Sequence, residues 1–110
     1  MNCWAILGLE PTSDERAVLR AYAKKLRETR PEDDAEGFQR LLAAREQAEN
    51  RALIARAERL YAESLGADRE RIKSLLGDFE QALLDQQLRD AAGLRARFGA
   101  ALDGFERSWS

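Results

Sequence analysis

Basic side chains recur at helical spacing between residues 13 and 30 of this 110-residue chain. They are Arg16, Arg20, Lys24, Lys25, Arg27 and Arg30. Against three carboxylates in the same stretch, these six cations leave a net charge of +3. A cationic helix face attracts an acidic surface on a partner, although charged faces also occur as ordinary solvated surface. The chemistry that these residues offer is electrostatic binding rather than the making of bonds.

An acidic segment follows the basic one. Residues 31–50 carry six carboxylates against two arginines, a balance of −4. The whole chain has a net charge of −2 and a pI of about 5.3, which argues against nucleic acid as its main ligand. The acidic residues near position 33 lack the spacing and the glycine of a calcium loop, so we expect no metal site there.

The sequence lacks the usual residues of catalysis. It contains no histidine, which removes the commonest general base and the commonest zinc ligand. Cys3 is the only cysteine, so it forms neither an internal disulfide nor a Cys–His pair, and we expect it to pack as a small hydrophobe. No glycine-rich phosphate loop is present. We therefore expect neither an enzyme nor a bound cofactor.

Apolar residues recur at helical spacing and do not alternate as in strands, which predicts an all-α protein. Residues 3–9 form a short apolar segment that has to pack on other elements. Thr12 or Ser13 is a candidate cap for a second helix over residues 13–28, which Pro31 ends. The buried face of that helix is predicted to comprise Val18, Leu19, Tyr22 and Leu26.

A third helix is predicted to begin near Ala35, with Asp33 or Asp34 as its cap. No Gly or Pro occurs between Gly37 and Gly66, so this helix either is unusually long or breaks near Asn50.

Two further helices are predicted after Gly66. That glycine suits the left-handed position that follows a helix, and Asp68 suits the cap of the fourth. Asp90 is a candidate cap for the fifth. The fifth helix carries three glycines, which either permit close approach of another helix or mark a fraying chain end. They are Gly93, Gly99 and Gly104.

Four segments of residues 3–48 together resemble a J-domain, the helical module that docks on DnaK-type chaperones. Residues 4–9 (Trp-Ala-Ile-Leu-Gly-Leu) are similar to the opening aromatic-x-x-Leu-Gly-Leu of that family. Val18, Ala21 and Tyr22 are similar to the Ile-x-x-Ala-Tyr of its second helix. Arg30-Pro31-Glu32 stands where the family has His-Pro-Asp. The third helix is represented by Phe38, Leu41, Ala44 and Glu46.

The resemblance implies a J-domain-like helical hairpin with a short first helix over residues 1–49, followed by a helical extension over residues 50–110. It implies a co-chaperone that binds a DnaK-type chaperone ATPase. No apolar run is long enough to span a membrane and no signal-peptide pattern is present, so we expect a cytoplasmic protein. The partner-binding residues that the resemblance implies are Arg16, Arg20, Tyr22, Lys24, Lys25, Arg27, Arg30, Pro31 and Glu32.

Several residues depart from the family pattern. Arg30 replaces a ring that both donates and accepts with a fork that only donates, and Glu32 keeps the charge of Asp with one more methylene. Lys25 stands where the family usually has Leu, and Arg45 stands where a Tyr is expected after Ala44. The sequence is also similar to a divergent bacterial subgroup with Arg-Pro-acidic loops that serves specialised DnaK relatives. Stimulation of an ATPase and binding without stimulation both stay open.

The alternative is a non-chaperone helical interaction module in which residues 50–110 are the binding part. Exposed apolar residues on the last two helices would favour this alternative, whereas aromatic residues at helical spacing are more often core. The candidates are Tyr61, Phe79, Phe105 and Trp109. The oligomeric state, the client and the particular chaperone are open.

Overall fold

A computed structural model describes residues 2–85 and 91–109. These residues form five helices and no strand, so the predicted all-α class is confirmed. The helices are α1 (Cys3–Leu7), α2 (Glu15–Glu28), α3 (Ala35–Glu63), α4 (Gly66–Leu84) and α5 (Ala91–Trp109). No helix among the described residues combines the length and the apolar character needed to cross a membrane. The predicted cap at Asp90 lies outside the described residues.

The chain divides into two compact units, Met1–Ala52 and Leu53–Ser110. We call them the N-terminal unit and the C-terminal unit. Helix α3 contributes residues to both, and it continues through Asn50 without a break. Of the two candidate caps for α3, Asp34 is the one used, because its Oδ1 accepts a hydrogen bond from the amide of Gly37 at 2.9 Å.

Helix α1 has five residues, too few to be stable alone, and depends on both of its ends and on packing. At its start, the Asn2 side chain accepts a hydrogen bond from the amide of Ala5 at 2.9 Å. At its end, Gly8 adopts a left-handed conformation with φ of 68°, which glycine adopts without steric cost. The same residue lies against α2, since a Cβ atom there would stand 3.2 Å from Cε of Lys25.

Helix α2 is capped by Asp14, so the prediction of Thr12 or Ser13 is wrong. The Asp14 carboxylate accepts from the amide of Arg16 at 3.0 Å, and the Thr12 hydroxyl accepts from the amide of Asp14 instead. A carboxylate is the stronger acceptor at the positive end of a helix. The helix ends before Pro31, as predicted, with Thr29 in an extended conformation.

The core of the N-terminal unit joins its three helices through mostly small side chains. Its buried members are Cys3, Trp4, Leu7, Val18, Leu41, Ala44, Ala48 and Ala52. Cys3 is 1% exposed, which confirms the expectation that it packs as a hydrophobe. Leu19, in contrast, is 43% exposed, so its predicted place on the buried face of α2 is wrong. It lies one residue beyond Val18, about 100° around the helix, where the core has ended.

The core of the C-terminal unit contains larger side chains. Its buried members are Leu53, Ala57, Leu60, Ile72, Phe79, Phe98 and Leu102. The rings of Phe79 and Phe98 pack with their centroids 4.6 Å apart. A Cβ atom at Gly99 would meet Leu53 at an ordinary 3.7 Å, and one at Gly104 would meet nothing within 4 Å. Neither of these two glycines is therefore required by close helix contact.

Helix α4 begins at Gly66, whose φ of 63° confirms the predicted left-handed position. The prediction that Asp68 caps this helix is wrong, because the helix begins two residues earlier. Asp68 lies within the first turn and accepts a hydrogen bond from the Trp109 indole at 2.9 Å. A carboxylate is also favourable in a first turn, which is why the sequence pattern resembled a cap.

Candidate partner-binding surface

Four of the predicted partner-binding cations lie on one side of α2. Successive helical residues are about 100° apart, so positions 16, 20, 24 and 27 fall within an arc of about 80° and span about 16 Å along the axis. The four are Arg16, Arg20, Lys24 and Arg27, and all are exposed. We call this set the basic stripe. It faces away from Val18, which is fully buried.

The side chains of the basic stripe make few contacts with the rest of the protein. Arg20 lies 3.7 Å from the Asp14 carboxylate, and both side chains are largely exposed, so this pair contributes little stability. Arg27 donates to the carbonyl of Ala23 at 3.4 Å. Neither Arg16 nor Lys24 has an ion-pair partner within residues 2–85 and 91–109. These charges remain available to an acidic partner and are weakened by salt.

Lys25 lies apart from the basic stripe. It projects from the opposite side of α2 and is half-buried. Its methylene stem lies against Gly8, at the end of α1, while Nζ stays 3.8 Å from the Glu28 carboxylate. A lysine commonly covers apolar surface in this way while its charge stays in water. The structure therefore does not bring Lys25 together with the other cations of α2.

Tyr22 is half-buried and packs against the core of the N-terminal unit rather than standing free. The guanidinium carbon of Arg45 on α3 lies 4.7 Å from the centre of its ring, a cation–π contact. Nε of Arg45 also donates to Oε1 of Glu49 at 3.2 Å, and the Glu49 side chain is only 12% exposed. Tyr22 thus belongs to a contact between α2 and α3.

The guanidinium of Arg45 stays protonated. Burial alone would lower the pKa of Arg45, but the hydrogen bond and the charge of Glu49, with contributions from Tyr22, raise it above the ordinary value. The sequence marked Arg45 only as a departure from a family pattern. No local periodicity indicates that its partner is a ring 23 positions earlier in the chain.

The three predicted turn residues, Arg30, Pro31 and Glu32, are all exposed. The carbonyl of Arg30 accepts from the amides of Asp33 and Asp34 at 3.0 and 2.9 Å, which closes the turn. Pro31 suits the second position of such a turn, because its ring fixes φ and no amide is needed there. The turn directly follows α2, so it continues from the helix that carries the basic stripe.

The candidate aromatics of the C-terminal unit are mostly engaged within that unit. Phe79 is 2% exposed, and Phe105 packs against the core. Tyr61 lies under the guanidinium of Arg69, which is 4.3 Å from its ring centre. Trp109 is 37% exposed, with its indole nitrogen bonded to Asp68. The described part of the chain holds no group of three or more His, Cys, Asp or Glu side chains arranged for a metal ion.

No family model matches this chain, and no curated protein and no solved structure matches it. What can be said of its function therefore rests on its residues and on the geometry described above.

Proposed function

We propose that this chain is a J-domain-like co-chaperone that binds a DnaK-type chaperone ATPase through the basic stripe and the turn at residues 30–34. One observation carries the proposal. The exposed basic stripe leads directly into the exposed turn Arg30-Pro31-Glu32, while the opposite face of the same helix is in the core. A partner could therefore meet the stripe and the turn together without any unfolding.

The packing of the N-terminal unit is compatible with a J-domain-like hairpin. Val18 of α2 and Leu41 of α3 belong to one core, and α1 adds Trp4 and Leu7. Tyr22 of α2 lies against Arg45 of α3, a contact that an antiparallel pair of helices would make. This arrangement supports the hairpin that the sequence resemblance implies.

The charges indicate the kind of partner surface. Exposed cations on α2 favour an acidic face, and the exposed carboxylate of Glu32 favours a basic group beside it. In this proposal the ATPase belongs to the partner, the chain itself catalyses nothing, and both proteins are cytoplasmic. Nucleic acid has no part in the proposal.

Binding and stimulation are separate parts of the proposal, and the geometry supports binding more directly. The basic stripe needs only exposed charge, which these residues have. The turn would have to act through Arg30, which donates hydrogen bonds but cannot accept them. We therefore propose binding as the function, and the single-turnover assay tests whether the chain also stimulates ATP hydrolysis by the chaperone.

The alternative, an interaction module that binds through residues 50–110, has less support. Exposed apolar side chains on the last two helices favour it, and Leu84 and Trp109 are 74% and 37% exposed. Phe79, in contrast, is buried, and Tyr61 and Phe105 pack against the core.

The test measures the affinity of the chain for candidate DnaK-type chaperones in ATP, together with single-turnover ATP hydrolysis. The Lys24→Ala/Arg27→Ala variant removes two charges from the basic stripe. We expect it to weaken binding about tenfold at low salt, equivalent to about 1.4 kcal/mol, and to flatten the dependence of affinity on salt.

The matched control is Arg71→Ala/Lys73→Ala, which removes two exposed cations from α4. It should bind as the wild type does. The proposal fails if the wild type binds no such chaperone, or if the control loses as much affinity as the stripe variant.

A further inference from the structure

Arg45 lies on α3 and contacts Tyr22 of α2, the helix that carries the basic stripe, and its role goes beyond packing. We infer that Arg45 is a positioning residue, which holds Tyr22 and so fixes the rotation of α2 and the direction in which the basic stripe faces a partner. The inference rests on the proposed function, because it concerns how the same surface meets the same partner.

The geometry makes Arg45 a link with two fixed ends. On its own helix, Nε donates to the Glu49 carboxylate at 3.2 Å, one turn further along α3. On α2, the guanidinium lies over the Tyr22 ring at 4.7 Å. The Glu49 side chain is nearly buried, so it restricts the plane of the guanidinium that Tyr22 meets.

The other contacts of α2 restrain its rotation less. Val18, Ala21 and Leu26 pack on the core through apolar contacts that have no preferred direction. A planar cation stacked on a ring has a direction, because the ring face carries the negative part of the quadrupole. Among the described contacts of α2 with α3, this is the one that fixes an angle.

Rotation of α2 matters because the basic stripe lies on the side away from this contact. With side chains, a helix has a radius of about 5–6 Å, so a rotation of about 20° moves the outer atoms by about 2 Å. A shift of that size is enough to break charge-assisted hydrogen bonds, whose length varies by only a few tenths of an ångström.

Arg45→Lys and Arg45→Met test the inference. Lysine keeps the charge but lacks the planar group, and methionine keeps much of the length without charge. We expect each to raise the Kd for a DnaK-type chaperone about 3- to 10-fold, measured well below the unfolding temperature of every variant. The slope of log Kd against log salt should stay unchanged, since all four cations of the basic stripe remain.

Two further variants separate positioning from direct contact. Glu49→Gln removes the negative charge that holds the Arg45 guanidinium, at a side chain that is only 12% exposed. It should raise the Kd in the same direction as Arg45→Met and change the NMR shifts of the Arg45 side chain. Arg40→Met is the control, because among the described residues Arg40 pairs only with the exposed Glu36, and its loss should leave affinity unchanged.

Each outcome decides between the two claims. If the wild type binds no DnaK-type chaperone, the proposed function fails and the inference fails with it. If the wild type binds and both Arg45 variants match it, the inference alone is wrong. It is also wrong if the salt slope falls with Arg45→Met, or if Glu49→Gln leaves the Kd unchanged while Arg45→Met raises it, because either result means that Arg45 contacts the partner directly.

Discussion

Arginine residues have different surroundings in the basic stripe of α2 and in the contact between α3 and α5. Those of the basic stripe in the N-terminal unit are exposed, and the Arg20–Asp14 pair has a separation of 3.7 Å in open solvent. In the C-terminal unit the side chain of Arg56 is 13% exposed and joins α3 to α5. It donates to the carboxylates of Asp103 and Glu106, the latter at 2.9 Å. The same residue type supplies open surface on α2 and an internal link between α3 and α5, as Arg45 does between α2 and α3.

The link through Arg56 does not depend on pH near neutrality. Burial alone would lower the pKa of Arg56, but hydrogen bonds with Asp103 and Glu106 and their negative charges raise it above the ordinary value. A raised pKa means that the arginine contributes its stabilisation at every pH below the ordinary arginine pKa and loses it only above. We therefore expect no change from this group between pH 6 and pH 9.

The cores of the two units differ in the size of their buried side chains. Between α1, α2 and α3 the N-terminal unit buries alanines, a valine and a cysteine beside Trp4, Leu7 and Leu41. The C-terminal unit buries two phenylalanine rings in contact with each other. The C-terminal unit thus has the larger side chains in its core, although Leu65, Leu84 and Trp109 stay exposed, whereas the N-terminal unit exposes one charged face of α2.

The largest effect is expected from Phe79→Ala. Phe79 is 2% exposed and packs on Phe98, so the variant should lower the free energy of unfolding by about 3–5 kcal/mol in urea denaturation. Val18→Ala in the other core removes only two methyl groups and should cost about 2 kcal/mol. Glu80→Ala, an exposed neighbour, should change stability by less than about 0.5 kcal/mol. Equal losses for Phe79→Ala and Val18→Ala would contradict the comparison of the two cores.

A smaller effect is expected from Arg56→Ala. The variant leaves two carboxylates without this cation, but both are partly exposed, so we expect a loss of about 1–3 kcal/mol in the free energy of unfolding. The loss should shrink in 1 M NaCl, as measured by urea denaturation at both salt concentrations.

Arg56→Lys serves as the control for the link. Lysine keeps the positive charge but lacks the planar guanidinium that donates to both carboxylates. It should therefore recover only part of the stability that Arg56→Ala loses. If Arg56→Ala lowers the free energy of unfolding by less than about 0.5 kcal/mol, Arg56 contributes no more stability than an exposed arginine. Arg56 and the basic stripe would then not differ in their contribution to the fold.

Local patterns predicted the elements well, because helix signals are local. The predicted start of α3 at Ala35, the end of α2 before Pro31 and the left-handed Gly66 all agree with the structure. The cap of α2 was wrong because Thr12, Ser13 and Asp14 are all competent caps, and only their backbone conformations select one.

Errors about burial arose at the edges of helix faces. Leu19 lies about 100° from Val18 on α2, and periodicity does not tell how far a core extends around a helix. Lys25 was assigned to the binding surface by the family resemblance, and that assignment stays a prediction. The angular position of Lys25 on α2 indicates that it lies on the side of Val18, away from the basic stripe. This signal was available from the sequence.

The contact between Arg45 and Tyr22 could not be derived from spacing along the chain. It depends on how two helices pack, and a charged residue on a helix face is ordinarily solvated surface. The candidate surface was thus predictable as a set of charges on α2, but not as a surface whose orientation depends on a residue of α3.

The smallest effect is expected from Arg16→Ala/Lys24→Ala. Each of these cations lies one turn from Arg20, so the wild type carries two like-charge pairs at i, i+4, each unfavourable by about 0.2–0.5 kcal/mol. Removing both should leave the free energy of unfolding unchanged or raise it by up to about 1 kcal/mol, as measured by urea denaturation at low salt. A gain that vanishes in 1 M NaCl would identify repulsion as its cause. A loss above about 1 kcal/mol in the free energy of unfolding would mean that the basic stripe stabilises the fold as Arg56 does. Its charges would then already be engaged within the protein and not available to a partner.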